Sequence, residues 1–263
     1  MKKIIWISSY PKSGNTWVRY LLANYFFNSQ MIFDKNIIKY ISKFKLTENE
    51  NNFYIGNKLN LDKVAKFWVP AQEKLKVVDG QVTFLKTHNA NISLGKHNFT
   101  NENLTIAVIY IVRDPRDIIV SGVNYFDTSY DEVIDNMCNK KFSTFRHKEN
   151  KSNIDVVSTW DIHFRSWINK MPNIPKILIK YEDLIKDTEY VFTNTIRSLS
   201  KILNFQIDEQ KIQFSIKNSK FEKLSTMEDK EGFKENLGSN QKFFRKGESG
   251  EYESKMTKKQ ILV

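Results

Sequence analysis

The chain has 263 residues, a length that suits one α/β domain with a sizeable buried core. A hydrophobic fraction of 40% and an aromatic fraction of 13% argue against a disordered chain. The 41 basic and 30 acidic residues leave a net charge of +11, which favours an anionic partner. Charge alone does not choose among a nucleotide, a nucleic acid, an acidic polymer and a membrane surface, and a solvated lysine-rich surface is the alternative.

The single cysteine, Cys138, excludes a disulfide framework within the chain. The apolar run Ile106–Val112 is of strand length, well short of the ~20 residues that a membrane-spanning helix needs. The apolar start of the chain runs directly into Tyr10-Pro11-Lys12, so it is interpreted as a buried strand and not as a signal peptide. A cytoplasmic protein without a membrane span is therefore expected.

Predicted strands and helices alternate along the chain, which favours an α/β fold with a central, mostly parallel sheet flanked by helices. The predicted strands are Lys3–Ser8, Val82–Lys86, Leu104–Val112 and Lys176–Lys180. The predicted helices are Thr16–Phe27, Pro115 to about Phe126 with Asp114 as N-cap, Ile154–Asn169 and Leu184–Leu203.

Two stretches lack a clear period. Gln30–Asp79 is polar and rich in asparagine, and is interpreted as an insertion with short helices on the acceptor side. Ser225–Glu253 mixes glycine with lysine and glutamate and is predicted to be a mobile segment. No repeat or second domain boundary is evident, so residues 1–263 are predicted to form a single domain.

The loop after the first strand has the composition of an anion site. Backbone N–H groups of Ser13, Gly14, Asn15 and Thr16 would face a phosphate from a helix N-terminus, and Lys12 adds a positive charge. The Walker pattern is absent because the lysine precedes the glycine. An ordinary strand–turn–helix with an exposed lysine is the alternative.

The eight residues from Tyr10 to Trp17, Tyr-Pro-Lys-Ser-Gly-Asn-Thr-Trp, resemble the 5′-phosphosulfate loop of the sulfotransferases that use 3′-phosphoadenosine-5′-phosphosulfate (PAPS). This family has a P-loop-NTPase-like fold. The resemblance implies that residues 12–16 bind the donor and that Trp17 stacks on its adenine.

A second motif has Arg113 at a strand end and Ser121 eight residues later. Arginine offers a planar fork to phosphate, and the serine hydroxyl lies two helical turns further on. The same resemblance assigns both residues to the donor's 3′-phosphate. Arg116 and Asp117 are interpreted more simply, as a surface ion pair.

Towards the C-terminus, Arg245-Lys246-Gly247 resembles the family segment that folds over the donor, although Glu251-Tyr252 stands where Asp-Trp is common. Weaker similarities assign three further residues to the adenine. These are Tyr181, Ser219 and Phe221. Both aromatic residues could equally be core residues, and Lys220 departs from the usual serine.

Lys86 and His88 end the second predicted strand, two positions apart and therefore on one face of an extended chain. A lone histidine is often only a polar surface residue, but the resemblance implies that His88 is the catalytic base. It also implies an in-line transfer in which Lys12 and Lys86 stabilise developing charge. The product would be 3′,5′-adenosine bisphosphate (PAP), and no metal is expected to be required.

Two other functions stay open at this point. A P-loop kinase or NTPase would need a lysine after the glycine and an acidic residue for Mg²⁺. A basic nucleic-acid-binding protein would need a clustered basic and aromatic face. The acceptor, whether a small molecule, a lipid or a carbohydrate, is left unnamed, as is the oligomeric state. Its pocket is expected to draw on Gln30–Asp79, the segment after His88, and Tyr125–Asn150.

Overall fold

A four-stranded sheet organises the computed structural model, which describes residues 3–46, 53–55, 58–77, 81–148, 151–233, 235–236 and 242–262. The strand order is β10-β7-β1-β4, where β1 is Ile4–Ser9, β4 is Thr83–Thr87, β7 is Thr105–Val112 and β10 is Lys176–Lys180. β1 and β4 run parallel, with Ile4 opposite Thr83. The predicted α/β class with a central parallel sheet is confirmed, and each predicted strand lies within one residue of its observed bounds.

The chain divides into two compact units, each assembled from three separate stretches. The first unit comprises Met1–Tyr10, Ser42–Tyr110 and Asn136–Lys176. The second comprises Pro11–Ile41, Ile111–Asp135 and Ile177–Val263. That residues 1–263 form a single domain stays a prediction.

The first unit has an aromatic core under β1. Trp6, fully buried, lies 5.2 Å from Phe99 and 6.1 Å from Trp167 between ring centroids. Short elements complete this unit. They are β2 (Tyr54–Ile55), β3 (Lys58–Leu59), α2 (Leu61–Ala65), α3 (Trp68–Glu73), β5 (Ser93–Leu94), β6 (His97–Asn98), the hairpin β8 (Ser143–Lys148) and β9 (Lys151–Val156), and α6 (Trp160–Asn169).

The second unit is mainly helical. Its α1 (Asn15–Phe27) packs against α9 (Glu209–Asn218), and the Tyr25 hydroxyl accepts a hydrogen bond from the Asp208 amide at 3.1 Å. The other helices outside the first unit are the 3₁₀ helix Ile37–Tyr40, α4 (Pro115–Phe126), α5 (Tyr130–Cys138, which ends in the first unit), α7 (Tyr181–Lys186), α8 (Thr188–Leu203), α10 (Phe221–Glu231), α11 (Tyr252–Lys255) and α12 (Lys258–Ile261). No helix in the described part of the chain is both long and apolar enough to cross a membrane.

Side-chain caps explain where several helices begin. The Asp114 carboxylate accepts from the Arg116 amide at the start of α4, as predicted. The predicted helix Leu184–Leu203 was wrong: it is two helices, because Asp187 leaves the helical conformation and caps α8 through the Tyr190 amide. The predicted helix Ile154–Asn169 was also wrong at its start. Residues 154–156 belong to β9, and Thr159 caps α6.

The two stretches without a period contain more structure than their composition indicated. The described parts of Gln30–Asp79 hold the 3₁₀ helix, β2, β3, α2 and α3. The segment Ser225–Glu253, predicted to be mobile, begins inside α10, and its last two residues open α11. Residues 47–52, 56–57, 78–79, 234 and 237–241 of these stretches lie outside the described residues.

Candidate functional site

The segment Lys12–Trp17, here called the donor loop, links β1 to α1 through two left-handed residues. Lys12 has φ of 69° and Gly14 has φ of 90°. Gly14 is the N-cap of α1, so the first turn of the helix begins within the loop. A left-handed lysine is uncommon, and backbone strain of this kind concentrates at functional sites. The loop therefore joins the strand to the helix through a left-handed turn, and its binding of an anion stays a prediction.

Ser13 Oγ in this loop, and Nε of Arg113, which contacts the loop, are buried without a hydrogen-bond partner in the described part of the chain. Ser13 is 1% exposed and Arg113 is 8% exposed. An unpaired buried polar group costs about 1–3 kcal/mol, so such atoms call for an explanation. Both can donate to phosphate oxygens, so the residues present fit a phosphate-bearing ligand.

Arg113 ties the donor loop to two other predicted site segments. Its Nη1 donates to the Lys12 carbonyl at 3.1 Å, and its Nη2 donates to the Glu248 carbonyl at 3.0 Å. Its guanidinium carbon lies 4.3 Å from the centroid of the Tyr181 ring. Ser121 lies on α4, partly exposed, two turns beyond Arg113.

Tyr181 fills the space left by the absence of a side chain at Gly14. A Cβ built on Gly14 would lie 2.5 Å from Tyr181 Cδ2. The Trp17 ring packs edge-on against Tyr181 at 6.1 Å, and its Nε1 donates to the Ser219 carbonyl at 2.8 Å. The Ser219 hydroxyl is buried and accepts from Asn24 Nδ2 at 3.3 Å. The structure therefore brings Trp17, Tyr181 and Ser219 together with the loop.

Phe221 plays the same packing role at the C-terminal segment. Gly247 has φ of 69°, and a Cβ there would lie 2.5 Å from Phe221 Cδ2. The Phe221 ring also lies 6.2 Å from Phe244. Residues 244–247 consequently pack on the start of α10.

Glu251 holds the two cationic residues of the C-terminal segment. Its carboxylate forms ion pairs with the Arg245 guanidinium and with Lys246 Nζ, the second at 2.8 Å. Burial alone would raise the pKa of Glu251, but hydrogen bonds from Arg245 and Lys246 hold that pKa below its usual value. Sequence reasoning named Glu251 only as a departure from the family pattern and did not predict that it pairs with these two cations.

Asp117 is not the surface residue that the sequence indicated. It is 1% exposed, and its carboxylate accepts from the Gly250 amide at 2.7 Å and from the Tyr252 amide at 3.4 Å. Arg116 instead pairs with Asp114 at 2.5 Å and stacks on the Tyr252 ring at 3.9 Å. The predicted Arg116–Asp117 ion pair was wrong, because the helix turns Asp117 inward toward the backbone of the C-terminal segment.

The Lys12 ammonium lies against aromatic faces. Its Nζ is 3.8 Å from the centroid of the Tyr125 ring and 4.5 Å from that of Phe243. Ring quadrupoles attract a cation in this position. Neither aromatic was named among the predicted site residues. Tyr125 stands ten positions after Pro115 on α4, and Phe243 precedes the Arg245 motif, so proximity to known motifs was the available signal.

His88, in the first unit, directly follows β4 and has a defined tautomer. Its Nδ1 lies 2.8 Å from the Ser9 carbonyl oxygen and 3.4 Å from Ser9 Oγ. A carbonyl can only accept, so Nδ1 carries the proton and Nε2 presents a lone pair. Burial, followed by the nearby Lys86 ammonium, lowers the pKa of His88 well below its usual value. The side chain, partly exposed, is therefore a neutral proton acceptor at pH 7.

Lys86 is buried within β4, and its backbone is fixed on both sides. Its amide donates to the Ser42 carbonyl at 2.9 Å, and its carbonyl accepts from the Phe44 amide at 2.8 Å. The adjacent Lys43 Nζ pairs with the buried Asp155 at 2.5 Å. Lys86 and His88 influence each other electrostatically, as expected of residues two apart on one strand.

Comparison with known proteins agrees with this geometry. A family model described as sulfotransferase domain matches residues 2–263. Luciferin sulfotransferase of Photinus pyralis is 27% identical over 97% of this chain and 68% of its own length. Sulfotransferase 2A6 of Mus musculus is 27% identical over 57% of this chain, and the match spans only half, 50%, of that relative.

Solved structures share the fold. A mouse sulfotransferase complexed with PAP aligns over 100% of this chain and 81% of its own, with a TM-score of 0.59 and 19% identity. Retinol dehydratase in complex with androsterone and inactive cofactor PAP aligns over 98% of this chain and 77% of its own, with a TM-score of 0.64 and 17% identity. The P-loop-like architecture expected for the chain is therefore confirmed.

Proposed function

Because the chain belongs to the sulfotransferase domain family, we propose that it transfers a sulfuryl group from PAPS to an acceptor hydroxyl or amine. One observation carries this proposal: the donor loop, Arg113, Tyr181 and residues 245–247 lie in one compact unit, where Ser13 Oγ and Arg113 Nε are buried with no hydrogen-bond partner among the residues that the structure describes. Two structural neighbours are complexed with PAP, which supports the same donor here.

The donor-binding roles follow from the contacts. N–H groups at the start of α1, with the Ser13 and Thr16 hydroxyls, bind the 5′-phosphosulfate, and Lys12 adds positive charge. Arg113, Ser121 and residues 245–247 bind the 3′-phosphate. Trp17, Tyr181, Ser219 and Phe221 form the adenine surface.

Catalysis needs a base for the acceptor proton, and the tautomer of His88 suits that role. The acceptor oxygen forms a bond to sulfur while the bond between sulfur and the phosphate oxygen breaks. His88 Nε2 takes the acceptor proton, and PAP leaves. Lys12 and Lys86 stabilise the charge that builds on the leaving phosphate and the sulfuryl oxygens.

The acceptor is proposed to be a small molecule. Similar proteins include the luciferin sulfotransferase of Photinus pyralis and a 3-alpha-hydroxysteroid sulfotransferase of Cavia porcellus. A phenol panel and a hydroxysteroid panel with labelled PAPS would identify the class. We also propose that the protein is cytoplasmic and that it acts without nucleic acid.

The substitution His88→Ala tests the base. We expect turnover to fall at least a hundredfold, the usual contribution of a general base. The thermal shift produced by PAP should stay, because the donor residues are untouched. His97→Ala, at a partly exposed position on β6, is the matched control and should leave turnover unchanged.

The pH dependence of kcat/KM in the wild-type protein is a second test of His88 as the base. A base must be unprotonated, and the pKa of His88 is lowered, so kcat/KM should stay level as pH falls through 6.5 and decline only below it. Near-normal turnover in His88→Ala would remove His88 as the base. Stabilisation of the protein by ATP–Mg²⁺ or an oligonucleotide, but not by PAP, would remove the sulfotransferase proposal itself.

A further inference from the structure

A second histidine in the first unit, His163, has no role in the transfer described above. It lies on α6 and is fully buried (0% exposed). Its Nδ1 lies 2.8 Å from the Tyr110 hydroxyl, and its Nε2 lies 3.2 Å from the carbonyl oxygen of His88. The sequence motifs assigned no role to His163 and did not indicate its contact with the backbone of the proposed base.

The two contacts define the protonation of the His163 ring. The His88 carbonyl can only accept, so Nε2 of His163 carries the proton and donates. Nδ1 therefore holds the lone pair and accepts from the Tyr110 hydroxyl. Burial lowers the pKa of His163 to about 3, so the ring keeps this neutral form at physiological pH.

One face of α6 binds the whole segment that follows β4. Trp167 Nε1 donates to the Asn89 carbonyl at 2.9 Å, and Ser166 Oγ accepts from the Asn91 amide at 2.9 Å. His163, Ser166 and Trp167 are spaced i, i+3, i+4, so they share one side of the helix. They bind successive backbone groups of residues 88, 89 and 91.

We propose that His163 is a positioning residue for the reaction, donating from Nε2 to the His88 carbonyl so that the His88 ring keeps its hydrogen bond to Ser9 and presents Nε2 to the acceptor. The inference rests on the proposed role of His88 as base. Two hydrogen bonds fix the base at once: one on its peptide carbonyl from His163, and one from its ring to the Ser9 carbonyl. Small errors in the position of a reacting group cost orders of magnitude in rate.

Two substitutions separate the hydrogen bond from simple packing. His163→Gln places an amide N–H near the position of Nε2 and keeps a donor to the His88 carbonyl. His163→Leu fills similar space without a donor. His97→Leu, on β6, is the control for loss of a histidine outside α6. Far-UV circular dichroism and the thermal midpoint establish that each variant is folded.

Kinetics and histidine NMR give the readouts. We expect His163→Leu to lower kcat at least tenfold while the Kd for PAP changes less than twofold, and His163→Gln to recover most of the loss. With ¹⁵N-labelled histidine, His88 should be the Nδ1–H tautomer in the wild-type chain and in His163→Gln, and a mixture of tautomers in His163→Leu. The groups that act on the His88 ring are Lys86, Lys43, His163 and the Ser9 backbone, so His163→Leu should also move the apparent pKa of His88.

The NMR result does not depend on turnover, so it separates this inference from the proposed function. A folded His163→Leu with an unchanged His88 tautomer and unchanged kcat would overturn the positioning role. A folded His163→Gln whose kcat is as low as that of His163→Leu would also overturn the positioning role. If PAPS is not turned over at all, the tautomer measurement still decides whether His163 orders His88, while the sulfotransferase proposal fails separately.

Discussion

At the scale of single residues, the donor loop depends on what is absent at Gly14. The left-handed φ of 90° suits glycine, and the Tyr181 ring occupies the volume that a side chain would need. The same ring stacks on Arg113, whose guanidinium binds the Lys12 carbonyl. Because Gly14 has no side chain, the Tyr181 ring can contact both the loop and Arg113. This contact links the conformation of the loop to the proposed 3′-phosphate site.

Gly14→Ala should therefore disturb both ends of the donor. The added Cβ would meet Tyr181 Cδ2 at 2.5 Å, which forces Tyr181 off Arg113. We expect Kd for PAP to rise at least tenfold, which corresponds to about 1.4 kcal/mol. Titration calorimetry measures this directly.

Gly95→Ala provides the control for the backbone conformation alone. Gly95 also has positive φ, of 54°, but a Cβ there meets nothing within 4 Å. The loss of stability at Gly95 should stay near 1 kcal/mol, with unchanged binding of PAP. Equal effects of the two substitutions on PAP binding would show that Tyr181 does not transmit the change.

How well sequence predicts each residue depends on whether its partner is local. Lys12, Gly14 and Arg113 were identified because each lies in a short motif of neighbouring residues whose chemistry indicates phosphate binding. The conformations and contacts of these residues could not be identified in the same way. The left-handed φ of Lys12 and the contact of Tyr181 with Gly14 depend on segments that are distant in the sequence. The roles of these residues in binding stay predictions.

At the scale of elements, the predicted helix boundaries were wrong at two positions where a side chain caps a helix. Hydrophobic periodicity predicted α1, short apolar runs predicted the main strands, and Asp114 with Pro115 predicted the start of α4. The same periodicity continued across Asp187 and Thr159, where a side chain that caps a helix outweighs the pattern. Periodicity reports which face is buried and carries no information on where a cap interrupts the helix.

Asp117 connects α4 to the C-terminal segment that carries Arg245 and Lys246. Its buried carboxylate accepts from the Gly250 and Tyr252 amides, while Arg113 Nη2 binds the Glu248 carbonyl. Hydrogen bonds to an ionised acceptor are the stronger kind. These contacts fix the backbone of residues 248–252 against Arg113 and α4.

Asp117→Asn should loosen this segment without unfolding the protein. An amide keeps one acceptor oxygen but loses the charge that strengthens both bonds. We expect the Kd for PAP to rise about tenfold and hydrogen exchange of residues 245–252 to accelerate.

Asp131→Asn is the matched control for that substitution. Asp131 also accepts from a C-terminal residue, Gln260 Nε2 at 2.7 Å, but it is exposed and the contact reaches α12. Binding of PAP should be unaffected. If both variants bound PAP as the wild type does, the contact with Asp117 would have no part in donor binding.

At the scale of the whole molecule, the net charge of +11 matches a donor with several negative charges. Not all of the local positive charge is available to attract it. Arg245 and Lys246 pair with Glu251, and Arg19 pairs with Glu235 at 2.7 Å. Long-range attraction therefore comes mainly from the excess of lysine over the whole chain.

This distribution predicts that salt slows capture of PAP more than it weakens the bound complex. The Debye length shortens from about 10 Å at 0.1 M to about 3 Å at 1 M salt, so long-range attraction is screened before short contacts are. We expect the association rate constant to fall about tenfold between 0.05 and 0.5 M NaCl while the dissociation rate constant changes less than threefold. Stopped-flow fluorescence can follow this through Trp17, which lies in the donor loop. An uncharged acceptor provides the control, since its KM should be nearly independent of salt. If the association rate constant for PAP did not change with salt concentration, the net charge would not govern association, and the local ion pairs would.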